Sequence, residues 1–229
     1  MPFLAGFGIL VLLALIFGPQ FWVRHAMAKH GGERADLPGT GGELARHLLD
    51  EAGLDDVKVE ETAMGDHYDP ETRTVRLSPA HLAGRSIAAV AVAAHEVSHA
   101  VQHARLEPGF MRRMAVVTRV AWIDRLGMVI LLSAPFLLLV LKAPAIMAVQ
   151  IAAGLALMGV RVLAHLVTLP IEFDASFGKA LPVLKRGGYL APADLPAARQ
   201  VLTAAAWTYV AAALATLLDV ARWFRVIRF

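Results

Sequence analysis

The residues best suited to chemistry in this chain are His95-Glu96-Val97-Ser98-His99, an H-E-x-x-H pattern. On a helix, residues at i and i+4 share a face, with Cβ atoms about 5–6 Å apart. Two imidazoles so placed can hold one zinc ion at Zn–N distances of about 2.0–2.1 Å. Glu96 directly follows the first histidine, so its carboxylate reaches a water at the metal rather than the metal itself. From there it can take the water's proton and later return it to a leaving amine. The competing reading is a core helix with two hydrogen-bonded histidines, which has no use for Glu96.

A catalytic zinc site takes three protein ligands and keeps one position open. The chain contains no cysteine. Disulfides, thiolate catalysis and cysteine metal sites are therefore excluded, and the ligands must be histidines or carboxylates. No third histidine follows in the compact extended pattern, because Gln102, Arg105 and Pro108 occupy that stretch. The third ligand must come from another helix. Glu172 and Asp174, in Leu169-Pro170-Ile171-Glu172-Phe173-Asp174-Ala175-Ser176, are the candidates, since acids are scarce after Asp124. Residues two apart do not share a helix face. One carboxylate should bind the ion and the other support it. Glu172 is taken as the ligand, with one zinc per chain, and Asp174 as a group that orients a ligand histidine. Both could instead be ordinary acids at a helix N-terminus.

The elements that must position these groups follow from patterning. Ser86 is a helix-start signal, and a helix from Ile87 to about Arg105 would carry the motif in its second half. Its many polar groups make it a buried helix of a polar domain rather than a span. Thr40 can cap a helix to about Ala52, with Gly53 as its stop. Val57–Glu60 and Thr72–Leu77 alternate as strands, with turn chemistry over Asp66–Pro70, so a small hairpin is expected. Pro170 should open a short helix that Gly187-Gly188 ends, and Asp194 can cap a last one.

The chain is 57% hydrophobic and 18% charged, against about 25% charged residues in ordinary soluble domains. Long apolar runs follow: Phe3–Val23, Leu126–Leu141, Ala145–Leu169 and Val201–Leu218. The expected fold class is mainly α, with multiple membrane-spanning helices and a small cytoplasmic α+β zincin-like domain. Its parts would be a transmembrane helix over 1–23, the H-E-x-x-H domain over 24–115 and a membrane hairpin over 116–169. A helix with the third ligand would cover 170–200, and a membrane helix with a basic tail 201–229. Lys and Arg concentrate in the polar segments, which the positive-inside rule places in the cytoplasm at the plasma membrane. Arg222, Arg225 and Arg228 run against that orientation if the last helix crosses. Arg161 and His165 near the end of a span suit either function or snorkelling. A net charge of +3 without a dense basic run gives no case for nucleic acid.

Weaker candidates surround the motif. The strand residues Thr74, Val75 and Arg76 could offer an edge to an extended substrate. His67 or Tyr68 could hydrogen-bond the developing oxyanion.

His95–Gln102 (H-E-V-S-H-A-V-Q), Asp66–Pro70 (D-H-Y-D-P) and Leu169–Ser176 together resemble the YugP-type membrane zinc metallopeptidases of bacteria, along nearly the whole chain. That resemblance implies a neutral zinc endopeptidase embedded in the plasma membrane. The plan is more distantly similar to the HtpX and Ste24 proteases, which take a glutamate third ligand from an E-x-x-x-D segment. Here Glu172 and Asp174 are two apart, a departure that bears more on Asp174 than on Glu172. The expected function is zinc-dependent hydrolysis of peptide or membrane-protein substrates, with the lipid bilayer as surroundings and room for a homo-oligomer or a membrane partner protein. The alternatives are a non-catalytic zinc-binding assembly subunit and a metal-free scaffold.

Overall fold

A computed structural model describes the backbone of residues 2–141, 144–208 and 210–211, together with most side chains in those segments. Residues 19–111 and 169–208 form one compact unit, which holds every candidate site residue. Residues up to 18 and 112–168 belong to a second.

The first unit is built around helix α4 (Ile87–Ala104). Ser86 starts it by accepting a hydrogen bond from the Ala89 N–H at 3.0 Å, which satisfies one of the four orphan donors of the first turn. Every residue from Ile87 to Ala100 is buried, as the all-round apolar sequence requires. Helix α2 (Gly41–Glu51) lies against it. Thr40 and Glu43 close a reciprocal capping box, with the Thr40 N–H donating to Glu43 at 2.7 Å and the Glu43 N–H to Thr40 at 3.2 Å. Gly41 permits the close approach, since a Cβ there would collide with the carbonyl oxygens of His81 and Ala89. Gly53, at φ 68°, ends the helix as expected.

The sheet differs from the expected hairpin. Strands β1 (Lys58–Glu61), β2 (His67–Asp69) and β3 (Thr74–Leu77) are ordered β1-β3-β2. β1 pairs with β3 in parallel, and β2 with β3 antiparallel. The middle of the Asp66–Pro70 segment, His67–Asp69, is thus a strand flanked by a bend and a turn, and the hairpin is β2–β3. The linker between β1 and β3 spans 62–73, long enough for the crossover a parallel pair needs. β3 is central, with Thr74, Val75 and Arg76 paired on both sides. These residues have no open edge to offer a substrate, which corrects that expectation; the free edges belong to β1 and β2.

Asp66 ties this sheet to the short helix α3 (Pro79–Leu82). Its carboxylate accepts from the Ser78 N–H at 2.7 Å, the Ser78 hydroxyl at 3.0 Å and His81 Nδ1 at 2.7 Å. Burial alone would raise its pKa, but these donors outweigh it and hold the carboxyl below its usual 3.8. A depressed folded-state pKa means the stabilisation is full above the unfolded value and lost as pH falls through the folded one. Asp66→Asn should therefore cost about 1–3 kcal/mol at pH 7. The gap to wild type should narrow below about pH 3.8. Denaturant unfolding at pH 7 and pH 3 measures both values; an equal gap at the two would remove Asp66 as the source.

Three long helices complete the described chain: α1 (Pro2–Lys29), α5 (Pro108–Leu141) and α6 (Pro144–Phe173). They overturn the multi-span membrane fold. Among the described residues no helix is both long and apolar enough to cross a membrane. Length is met at 28, 34 and 30 residues. The charges of α5 fall within the helix at Arg112, Arg113, Arg119, Asp124 and Arg125, and those of α1 at its end, at Arg24 and Lys29. Lys142, the side chains of Arg161 and His165, and the basic tail at Arg222, Arg225 and Arg228 lie outside the described residues.

Pro170 does not open a helix either, since α6 runs through it to Phe173. The chain then widens into a π-helical segment (Asp174–Ala180) and returns to α geometry in α7 (Leu181–Arg186). A final helix, α8, covers 195–208. Asp194 stands just before it, its carboxylate held by Arg34 at 3.1 Å.

Candidate metal centre

One turn of α4 separates His95 from His99, and their rings meet edge to face with centroids 4.8 Å apart. The π-helical segment and the end of α6 pack against this side of α4. They bring in Glu172, which is 0% exposed. One ligand atom from each of the three residues lies within 4.8 Å of the other two. Glu172 Oε2 is 3.3 Å from His95 Nε2 and 3.2 Å from His99 Nε2.

The surrounding hydrogen bonds fix what those nitrogens carry. Ser176 Oγ donates its only proton to the Leu202 carbonyl at 3.0 Å, so toward His95 Nδ1, also at 3.0 Å, it must accept. His95 therefore bears its proton on Nδ1. Gln102 Nε2 donates to the Ile171 carbonyl at 3.2 Å and to Asp174 Oδ2 at 2.8 Å. Its Oε1 is left to accept from His99 Nδ1 at 2.9 Å. With Nδ1 so engaged, each ring turns its Nε2 to the same carboxylate oxygen, and the neutral form of each would direct a lone pair there. Three acceptors pointed at one another inside a protein repel, and a cation between them removes the conflict. Ligand atoms about 2.1 Å from a tetrahedral zinc stand about 3.4 Å from each other, close to the 3.2 and 3.3 Å found here. Two imidazoles and a carboxylate are also a donor set that zinc takes in catalytic sites.

The other expected residues fall in different places. Glu96 is buried on α4 beside His95. Among the described residues Asp174 bonds Gln102 and Lys179 rather than a histidine. Burial would raise its carboxyl, but Lys179 and Gln102 hold it below the ordinary range. Tyr68 is buried on β2, with its hydroxyl 2.9 Å from His103 Nδ1. His103 stacks on Phe110 at 5.4 Å between centroids, and Phe110 lies 6.1 Å from the His99 ring. Burial, and more weakly Arg73, lower the His103 pKa. Tyr68 thus stands one aromatic ring away from His99. His67 is turned to the Gly65 carbonyl at 2.8 Å, within its own turn. Two residues escaped the sequence reading as functional groups, namely Gln102 and Ser176. The available signal was spacing: Gln102 lies three after His99, and Ser176 four after Glu172, so each shares a face with a ligand.

A family model described as "Putative neutral zinc metallopeptidase" matches residues 6–228. This chain belongs to that family. It is also similar to the Bacillus subtilis (strain 168) protein called "Putative membrane protease YugP", at 37% identity over 216 residues, covering 93% of this chain and 92% of the relative. No solved structure matches. Membership in this zinc metallopeptidase family and the donor set agree on the metal. The family's defining ion suits two imidazole nitrogens and a buried carboxylate, and these three residues are the group of His, Asp and Glu among the described residues placed to hold a metal.

Proposed function

We propose that this chain is a zinc-dependent endopeptidase, with His95, His99 and Glu172 holding the ion and Glu96 serving as general base. The convergence of two imidazole Nε2 atoms on Glu172 Oε2 carries the reading. When bound, zinc supplies Lewis acidity, making water nucleophilic near neutral pH and polarising a carbonyl. Glu96 takes up the proton of the attacking water on its carboxylate and delivers it to the departing amine nitrogen. His95 and His99 are kept as Nδ1–H tautomers by Ser176 and Gln102, so neither ring has to reorganise. Tyr68 is the better placed of the two oxyanion candidates, and the free outer edge of β2 suits an extended peptide.

Association with a membrane is part of this proposal, without a spanning topology. The Bacillus relative is called a membrane protease. Helix α5 leaves Trp122, Leu126, Val129, Leu132 and Phe136 exposed at helical spacing, a stripe suited to a lipid surface. Membrane-associated polypeptides are then the natural substrates.

The purified chain should contain one zinc and cleave an unstructured protein such as casein. A strong chelator should abolish the cleavage, and added zinc should restore it. Zinc removal should also lower the thermal midpoint, because the ion binds only the folded state. A zinc-loaded chain that cleaves neither casein nor a membrane-protein substrate would favour a non-catalytic zinc-binding subunit, and a metal-free one a scaffold.

A further inference from the structure

We infer that Lys179 is a positioning residue: clamped by Glu107, it holds Asp174 so that Gln102 can present only its carbonyl oxygen to His99. The inference rests on the reading of His95, His99 and Glu172 as metal ligands and explains how one of them is kept in its binding form.

A glutamine amide has an acceptor end and a donor end of nearly the same shape, and a flip exchanges them. At His99 that exchange would matter. With Oε1 facing Nδ1, the ring keeps its proton on Nδ1 and its lone pair on Nε2. With the amide nitrogen facing Nδ1, the proton is displaced to Nε2, where no metal can bind. The orientation is decided at the far end of Gln102. Its Nε2 meets two pure acceptors, the Ile171 carbonyl at 3.2 Å and Asp174 Oδ2 at 2.8 Å. A flipped amide would place oxygen against both.

Asp174 is in turn held by Lys179, whose ammonium has donors only. Glu107 fixes that ammonium from the other side at 3.0 Å. Gly178 leaves room for the arrangement, since a Cβ there would strike the Asp174 carboxylate. Polarity therefore runs one way, from Lys179 through Asp174 and Gln102 to His99. The two ligand histidines differ in this respect. His95 is locked by a neutral group, Ser176, whose proton is committed to a backbone carbonyl. Only His99 depends on an ion pair.

Lys179→Met should release Asp174, let Gln102 populate both orientations and give His99 a mixture of tautomers, with His95 unchanged. Zinc should bind about 10–100-fold more weakly, the usual cost of losing a group behind a ligand. Lys179→Arg keeps a donor for both carboxylates and should restore both properties. Two measurements on the full chain test this. Nitrogen-15 NMR of histidine-labelled, metal-free protein reports the tautomers, and chelator competition with zinc alone reports affinity. An unchanged His99 tautomer and unchanged zinc affinity in Lys179→Met overturn the inference. Should that variant fail to fold, Asp174→Asn serves instead, because its carboxamide can turn either end to Gln102. The same shift at His99 is expected, and its absence is equally decisive. If the wild-type chain binds no zinc while His99 still carries its proton on Nδ1, the metal reading fails and the relay stands. If it binds zinc but the variants leave His99 unmoved, the relay alone fails.

Discussion

Glu96→Gln is expected to keep its zinc and to lose peptide hydrolysis by a factor of about 10²–10⁴, the usual contribution of a positioned acid–base group. Glutamine has nearly the shape of glutamate, so the buried site on α4 should not repack. It cannot accept a proton, so the step that turns water into a nucleophile loses its base. The metal should be unaffected because the three converging donors are His95, His99 and Glu172. Metal analysis and a peptide-cleavage assay on the same preparation give both numbers. Full activity in Glu96→Gln would remove Glu96 from the mechanism. Loss of zinc would make it part of the binding site instead.

Glu172→Ala should show the complementary pattern, with metal binding lost and activity lost as a consequence. Structural zinc binds small folded domains with about 10–16 kcal/mol in all. One of three protein ligands therefore carries several kcal/mol, and its removal should weaken zinc binding by about 10²–10⁴-fold. The rise in thermal midpoint on adding zinc should disappear with it. Asp174→Ala is the control that separates the two neighbouring acids. Acting through Gln102, it should weaken zinc only about 10–100-fold. If the two variants ranked the other way round, Asp174 would be the ligand, and the placement of Glu172 Oε2 between two imidazole nitrogens would lose its meaning.

Their unequal roles could be anticipated in part. An α-helix sends residues two apart to different faces; in the structure Glu172 faces His95 and His99, and Asp174 bonds Gln102 and Lys179. The route from Asp174 to a histidine could not be anticipated. It passes through Gln102 on another helix, and the chain around Asp174 is π-helical rather than α-helical. Such wide turns are rare and recur at functional sites, but no residue type announces one. The sheet illustrates a similar limit. Alternation in Val57–Glu60 and Thr72–Leu77 marked two strands, found at Lys58–Glu61 and Thr74–Leu77, yet the three residues His67–Asp69 are too short to show a period. Missing them turned a three-stranded sheet with a parallel pair into a hairpin and gave β3 an edge it does not have.

Long apolar runs misled for a related reason. Hydropathy along a chain reports how much apolar surface must be hidden, not what hides it. Ile87–Ala94 holds only apolar residues, all of them buried, and α4, which carries it, is packed by α2, α3, α7, β2, β3 and the π-helical segment.

By itself the sequence determined what is local: an H-E-x-x-H pair on one helical face, the caps at Thr40 and Ser86, the stop at Gly53, and the exclusion of cysteine chemistry. Spacing along a helix is a property of the backbone and needs no partner. Tertiary structure alone decided what is relational: that Glu172 closes on His95 and His99, that Ser176 and Gln102 set which nitrogen each ring offers, and that the central strand has neighbours on both sides. The first two depend on segments some seventy to eighty residues apart meeting, and the third on β1 pairing with β3 across an intervening strand; no short-range pattern encodes which partner will arrive.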